Sequence, residues 1–158
     1  MSDQAPSQRL AALGLVLPPV PVPQAAYVPA VVSGGFVYTS GQLPFVDGKL
    51  PATGKVGGAV DAAEAAGLAR ICALNALAAA ASVAGPGGLD GIARIVKVVG
   101  FVASAPGFHG QPQVINGASE LLLEVFGEQG KHARSAVGMA ELPLDTPVEL
   151  ELIAELRK

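Results

Sequence analysis

The chain has 158 residues, a length typical of one domain that buries its own core without disulfides or metals. Its formal net charge is −3 and its ten Lys and Arg residues are scattered, so the sequence lacks the basic groove of a nucleic-acid-binding protein. Cys72 is the single cysteine, which excludes an intrachain disulfide and a zinc site built on several cysteines. Residues 1–9 lack the basic-then-apolar order of a signal peptide, so we expect a cytoplasmic protein with no membrane partner.

The N-terminal part of the chain predicts an extension followed by two strands. Residues 6–13 are typical of a short helix that Ser7 caps and Gly14 ends. Prolines recur through residues 17–23 and predict an extended tether, because proline fixes φ and donates no hydrogen bond. Residues 27–32 and 36–40 indicate strands joined by a tight turn. We therefore predict an extension at residues 1–24 and a domain at residues 25–158.

The rest of the chain predicts two helices and three strands. Residues 61–84 form the strongest helical pattern, with Asp61 as its N-cap, and residues 114–126 form a second. Residues 92–104 are a β-rich run, and from Val98 onward they indicate a strand buried on both faces. Residues 135–140 and 148–154 complete the strands. The apolar stretch at residues 67–85 carries Arg70 and Asn75, so we interpret it as a core helix rather than a membrane span.

The order β-β-α-β-α-β-β predicts an α+β fold. One mixed, mostly antiparallel sheet with both helices on one face accommodates it. No further long helix remains to cover the opposite apolar face, and charged residues make up only 15% of the chain, which is low for a fully wet surface. We therefore expect self-association through that face.

The residue types alone leave the site open. Arg134 begins a largely apolar strand, where its planar guanidinium suits a carboxylate. It is either an anchor for a small acid or half of an ordinary salt bridge, for example to Glu141 or Glu149, and the salt bridge is favoured modestly. Glu149 and Glu151 point to one side of the last strand. Glu149 gains chemical interest only if it faces Arg134, because a carboxylate beside a substrate orients water or passes a proton.

Other polar positions also have structural explanations. Gly41 follows a strand and lets the backbone approach a ligand, but a plain strand exit explains it equally. Asn116 opens the second predicted helix, where capping is its ordinary role. Tyr27 is an edge residue, Asn75 a partner for buried backbone and Cys72 an inert core residue.

Four blocks of sequence together resemble the YjgF/RidA family of small deaminases. They are Thr39-Ser40-Gly41-Gln42-Leu43-Pro44, Ala133-Arg134-Ser135-Ala136-Val137, Ala140-Glu141-Leu142 and Val148-Glu149-Leu150. The resemblance implies a chorismate-mutase-like homotrimer with clefts between subunits. It also implies hydrolysis of reactive enamines and imines, such as 2-aminoacrylate, to a 2-keto acid and ammonia, with no metal and no organic cofactor.

The resemblance also implies a role for each site residue. Arg134 would hold the substrate carboxylate, and Glu149 would orient or activate water. The other site residues would be the backbone N–H groups of Gly41 and Ala136, the side chains of Tyr27 and Ser40, and Asn116 near the pocket. His132, Ala136 and Ser119 replace a common proline, cysteine and tyrosine of the family, which leaves the natural substrate open. Two alternatives remain, a non-enzymatic module that binds small carboxylates and an endoribonuclease, against which the acidic balance argues.

Overall fold

The computed structural model describes residues 4–22 and 26–158, so Pro23 in the predicted tether and the predicted boundary at residue 24 lie outside the described residues. Within those ranges, short 3-10 turns and loops join three α-helices and five strands. In chain order the elements are α1 (Pro6–Ala12), β1 (Ala30–Ser33), β2 (Phe36–Thr39), α2 (Ala62–Val83), β3 (Ile92–Ala103), α3 (Gln111–Phe126), β4 (Ala133–Met139) and β5 (Val148–Leu156). The predicted element order is confirmed.

All five strands belong to one mixed sheet with the order β1-β2-β5-β3-β4. Strands β3 and β4 run parallel, and the other three neighbouring pairs are antiparallel. Helix α2 packs against β1, β2 and β5, and α3 packs against β3 and β4, so both long helices cover the same face. We call this side the helix face and the opposite side the open face. The predicted α+β architecture is therefore confirmed.

Small residues bring the two long helices close to each other and to the sheet. A Cβ at Gly117 of α3 would lie 2.8 Å from the carbonyl carbon of Ala66 in α2, and one at Gly100 of β3 would overlap the side chain of Ile115. Helix α2 begins where predicted, because the Asp61 carboxylate accepts a hydrogen bond from the backbone N–H of Glu64 at 2.8 Å. These close contacts fix which strand residues lie under α3.

Three elements begin at other residues than predicted, and one of them is strand β4, which begins at Ala133 rather than at residue 135. Strand β1 begins at Ala30 rather than at Tyr27, because Pro29 has no N–H to donate to a ladder. Helix α3 begins at Gln111 rather than at residue 114, with Pro112 in its first turn, where proline is tolerated. Asn116 therefore lies in the second turn and does not open or cap the helix, so that interpretation was wrong.

The N-terminal helix is anchored differently from the prediction. Ser7 lies inside α1 rather than at its cap, and its backbone N–H and hydroxyl donate to the Asp90 carboxylate at 2.8 and 2.7 Å. Leu10 of the same helix is buried in the common core. Gly14 ends the helical segment at a φ of 70°, as expected of a helix-ending glycine. Part of the predicted extension is thus packed onto the domain.

The side chains on the open face are only partly buried within one chain. On β3, Val98 and Val102 are fully buried beneath α3, whereas Val99 and Phe101 are half-buried. The prediction of burial on both faces from Val98 onward was therefore wrong for the single chain, because no helix packs on the open face in the described residues. Tyr38 and Val137 are 40% and 42% exposed on this face. Exposed apolar surface of this kind is typical of a face that another protein chain covers.

Helix α2 is the one described helix whose length and composition would allow it to cross a membrane. It packs against three strands and α3, and Leu68, Cys72 and Leu77 are buried in the core. This is the packing of a core helix, as predicted. Localisation in the cytoplasm stays a prediction.

Candidate functional site

Arg134 lies on the edge strand β4 and points to the helix face. In the parallel ladder it pairs with Val98, which is buried beneath α3. Its Nη1 donates hydrogen bonds to Asn116 Oδ1 at 2.9 Å and to Ser119 Oγ at 3.1 Å. Two neutral side chains of α3 therefore hold one end of the guanidinium.

No described carboxylate pairs with Arg134, and no described group bonds to its Nε or Nη2. Glu141, one suggested partner, instead forms an ion pair with Lys55 at 2.9 Å. The favoured interpretation of an ordinary salt bridge was therefore wrong within the described chain. One edge of a half-buried guanidinium remains available to a ligand, and that edge matches the spacing of carboxylate oxygens.

Two residues beside Arg134 were noted in the sequence only as departures from the family pattern. Ser119 Oγ lies 3.0 Å from His132 Nε2, and His132 Nδ1 lies 2.6 Å from the carbonyl oxygen of Gly130. A pocket of about 270 Å³ opens here, lined by Ser119, Leu123, Gly130, Lys131, His132 and Arg134. Sequence reasoning missed this contact, because the two residues lie 13 positions apart on different elements and neither belongs to a known short motif.

Glu149 belongs to a second cluster, on the loop that leaves β2. Gln42 pairs with Leu150 through two backbone hydrogen bonds of 2.7 and 3.0 Å, which lays Gly41 against Glu149. A Cβ at Gly41 would lie 2.8 Å from Cδ of Glu149 and overlap its Oε1. Glycine is therefore needed here for the close approach of Glu149 and not for an unusual φ, and the suggested approach of a ligand stays a prediction.

Ser40 ties this loop to the segment that carries Tyr27. The Ser40 hydroxyl donates to the carbonyl of Val28 at 2.6 Å, and its N–H donates to the carbonyl of Pro29 at 2.8 Å. Tyr27 itself is 61% exposed. Ser40, Gly41 and Glu149 are thus gathered in one place, with Tyr27 on the adjoining segment.

The Glu149 carboxyl is half-buried. Burial raises its pKa above the ordinary glutamate value, and the neighbouring charge of Glu151 raises it further. Such a shift moves a carboxylate toward the range useful for proton transfer near neutral pH. Cys72 lies behind β5, and burial, with the charge of Glu149 as the next cause, raises the pKa of its thiol well above the usual value. The thiol stays protonated and inert, as expected of a core cysteine.

Arg134 and Glu149 lie on opposite faces of the sheet in one chain. Arg134 shares the helix face with Val98, whereas Glu149 pairs with Phe101 on the open face. Strand β3 separates them, so neither side chain reaches the other around the sheet. Ala136 pairs with Gly100 and lies on the Arg134 side, as does Asn116. Within one chain the predicted site residues therefore fall into two separate groups. We call the group around Arg134 the Arg134 half-site and the group around Glu149 the Glu149 half-site.

Comparison with known proteins shows which family the chain belongs to. A model described as "YjgF/chorismate_mutase-like, putative endoribonuclease" matches residues 7–156, which is nearly the whole chain. The chain belongs to the YjgF/chorismate-mutase-like family. The resemblance read from the sequence is thereby confirmed. The YjgF family match also covers much of the predicted N-terminal extension, including α1.

Individual proteins are similar to this chain over most of their length. The protein TCP17 of Trypanosoma cruzi is 43% identical over 145 residues, which is 91% of this chain and 89% of that protein. The crystal structure of Atu1372 from Agrobacterium tumefaciens, described as of unknown function, is 47% identical with a TM-score of 0.88, covering 98% of this chain and 94% of that one. TdcF of E. coli, crystallised with bound serine, is 29% identical with a TM-score of 0.58, covering 88% and 94%.

Proposed function

We propose that this protein hydrolyses small, reactive enamines and imines of 2-amino acids to 2-keto acids and ammonia. The observation that carries the proposal is the half-buried guanidinium of Arg134. It is held at Nη1 by two neutral side chains and has no carboxylate partner among the described residues. An arginine fixed in this way is suited to a small carboxylate ligand. The serine bound in the related TdcF is a ligand of this size and carries a carboxylate.

The chemistry requires little beyond positioning and proton transfer. An enamine such as 2-aminoacrylate first tautomerises to the imine, and a water oxygen then bonds to the imine carbon. Glu149 takes a proton from the attacking water and returns it to the nitrogen. The hydroxyl proton of the resulting carbinolamine then passes through Glu149 to the nitrogen. The carbonyl forms as the carbon–nitrogen bond breaks, and ammonia leaves with a 2-keto acid as the second product. The raised pKa of Glu149 suits both proton steps.

Gly41 and Ser40 serve the same half-site in this proposal. The backbone of Gly41 lies against the Glu149 carboxylate, and Ser40 fixes the loop to the Tyr27 segment. Ala136 and Asn116 belong to the Arg134 half-site, where Asn116 holds the guanidinium. No metal and no organic cofactor takes part in the proposed reaction.

The proposed active site is shared between subunits of a homotrimer. Arg134 and Glu149 point away from opposite faces of one sheet, so a site with both residues needs a second chain. The open face around Glu149 carries exposed Tyr38 and Val137, which an oligomer would cover. We expect sedimentation at micromolar concentration to give about three times the monomer mass of 15.8 kDa.

Mixed trimers test the shared site directly. Chains with Arg134→Ala and chains with Glu149→Gln are each expected to be inactive alone. Co-expressed in equal amounts, they are expected to recover about a quarter of wild-type ammonia release, because one site in four combines an intact Arg134 with an intact Glu149. The assay uses 2-aminoacrylate generated in place by a serine dehydratase. A mixture as inactive as its parents, with subunit mixing verified by two affinity tags, would place both residues in one chain and refute the shared site.

The close approach of Gly41 to Glu149 gives a second prediction. Gly41→Ala is expected to displace the carboxylate and lower turnover about tenfold or more, because small misplacements of a catalytic group cost large factors in rate. The fold is expected to tolerate it, since the clash involves the end of a flexible side chain.

Gly67→Ala is the matched control. Gly67 is exposed within α2, and an added Cβ meets nothing within 4 Å. This variant is expected to keep full turnover and to gain about 0.5–1 kcal/mol of stability from the better helix propensity of alanine. Equal turnover in both variants would show that the Gly41 contact does not position Glu149.

The two alternative functions, a binding module for small carboxylates and an endoribonuclease, are tested on the same protein preparations. A binding module would bind a 2-keto acid in calorimetry but release no ammonia. An endoribonuclease, named in the family description, would cleave RNA. The chain carries thirteen acidic against ten basic residues, and Lys131 beside Arg134 is paired with Glu128 at 2.8 Å. This charge balance gives little attraction for phosphates.

A further inference from the structure

Four side chains and a backbone carbonyl form a chain of hydrogen bonds behind Arg134. A carbonyl oxygen only accepts, so the contact of His132 Nδ1 with Gly130 O requires a proton on Nδ1. In the neutral imidazole, Nε2 is then an acceptor, and it takes the hydroxyl hydrogen of Ser119 at 3.0 Å. The Ser119 oxygen in turn accepts from Arg134 Nη1, which also donates to Asn116. Each hydrogen bond in this chain therefore has only one possible direction from donor to acceptor.

We propose that Ser119 and His132 are positioning residues that orient the guanidinium of Arg134 toward a small carboxylate. The inference rests on the proposed function and adds an explanation of what orients the edge of the guanidinium that binds the carboxylate. The two residues act on Arg134 through the hydrogen bond from Nη1 to the Ser119 oxygen. The edge of the guanidinium with Nε and Nη2 remains available to the ligand.

The proposal depends most on the direction in which the Ser119 hydroxyl points its hydrogen. A serine inside a helix often donates to a backbone carbonyl one turn back, which would rotate its lone pairs. In α3 the acceptor at His132 Nε2 takes that hydrogen instead, so the lone pairs of Ser119 face Arg134. An arginine has many rotamers, and fixing one before binding reduces the entropy lost when the ligand is ordered.

The surroundings of His132 keep it in the required neutral form. Burial lowers the pKa of the imidazole, the Gly130 carbonyl opposes this shift, and the charge of Arg134 lowers the pKa further. A neutral imidazole at neutral pH is therefore present as an acceptor. The same ring lies at the edge of the 270 Å³ pocket beside Arg134, where displacement of the guanidinium would change the ligand site.

Two substitutions at His132 separate its two ring nitrogens. His132→Gln places an amide oxygen near the position of Nε2 and keeps an acceptor for Ser119. His132→Asn places its amide near Nδ1 and keeps only the contact with Gly130. Ser119→Ala removes the relay, and Ser119→Thr keeps the hydroxyl. Ser104→Ala is the control, because Ser104 is another half-buried serine with two hydrogen bonds, to Val102 O and Gln111 Nε2.

The probe is 2-oxobutanoate, titrated calorimetrically into the full-length protein. We expect Ser119→Ala and His132→Asn to weaken its binding about five- to tenfold, the effect of losing one hydrogen bond that supports a charged group. Binding to His132→Gln, Ser119→Thr and Ser104→Ala should stay within about twofold of the wild type. Long-range ¹⁵N–¹H spectra of the histidines, assigned with a His109 variant, should show the Nδ1–H form of His132.

Equal binding by Ser119→Ala and the wild type would overturn the inference, as would equal losses in the two His132 variants or a proton on Nε2. Failure of the proposed function gives a different result. A wild type that binds 2-oxobutanoate but releases no ammonia from 2-aminoacrylate refutes the hydrolase, while the affinities and the tautomer still decide the positioning role.

Discussion

Arg134→Ala is expected to lower kcat/KM for imine hydrolysis by about a hundredfold to a thousandfold, because a charged, two-pronged contact with a carboxylate typically contributes several kcal/mol. The fold is expected to remain intact. Arg134 is half-buried on an edge strand, and its partner Asn116 is exposed, so water replaces the lost contacts. Ammonia release and thermal unfolding measure the two effects separately.

Two further variants sharpen the result. Arg134→Lys keeps the positive charge but loses the planar fork, and it should recover only a small part of the lost rate. Arg70→Ala removes another partly exposed arginine, which forms an ion pair with Glu124 at 2.6 Å between α2 and α3. It should keep wild-type turnover, since such pairs contribute at most about 1 kcal/mol to stability. Wild-type turnover and unchanged stability in Arg134→Ala would show that the anchor lies elsewhere.

The fold could be predicted from the sequence because its strongest signals are local. Asp61 caps α2, glycines end helical segments, and apolar runs mark the strands. Apart from the predicted burial of β3 on both faces, the errors in the fold occurred at the ends of elements. Pro29 delayed β1 and Pro112 allowed α3 to begin early, and both effects depend on which backbone N–H groups the sheet and helix need. The bonds from Ser7 to Asp90 join residues 83 positions apart, which no local pattern indicates.

The sequence identified candidate site residues, but it could not place their side chains relative to one another within the chain. The functional roles of Arg134, Gly41 and Glu149, which the family resemblance implies, stay predictions. Whether Arg134 faces Glu149 depends on strand order and register, and a shift of one residue reverses the face. The strand order β5-β3-β4 and the registers of these strands place the two side chains on opposite faces of the sheet. The pairing of Ser119 with His132 is likewise a product of packing.

Glu149→Gln is expected to lower turnover by about a hundredfold or more, because a general base typically contributes that factor and an amide cannot accept the proton. Binding of 2-oxobutanoate should stay near the wild-type value, since the two side chains are nearly isosteric. Turnover of the wild type should fall as pH drops through the raised pKa of Glu149, where the carboxylate becomes protonated. The residual rate of the variant should lack this dependence.

Over the same pH range, the contribution of Glu149 to the free energy of unfolding is expected to change in the opposite direction from turnover. The folded-state pKa of Glu149 lies above its unfolded value, so between the two the folded chain binds more protons. The contribution of Glu149 to stability therefore falls as pH rises through this window. Glu149→Gln removes the half-buried charge, and its stability relative to wild type should increase with pH. Unfolding by denaturant at several pH values measures the difference.

Glu151→Gln is the control that separates a chemical role from a structural one. Its carboxylate lies two residues along β5 on the same face, and its charge is the second cause of the raised pKa of Glu149. This variant should keep most of its turnover, and the acid limb of its pH profile should move to lower pH. If Glu149→Gln instead loses 2-oxobutanoate binding but not stability, Glu149 is a binding residue. If its turnover is unchanged, water is activated without a carboxylate, and the site works through the positioning of the substrate by Arg134 alone.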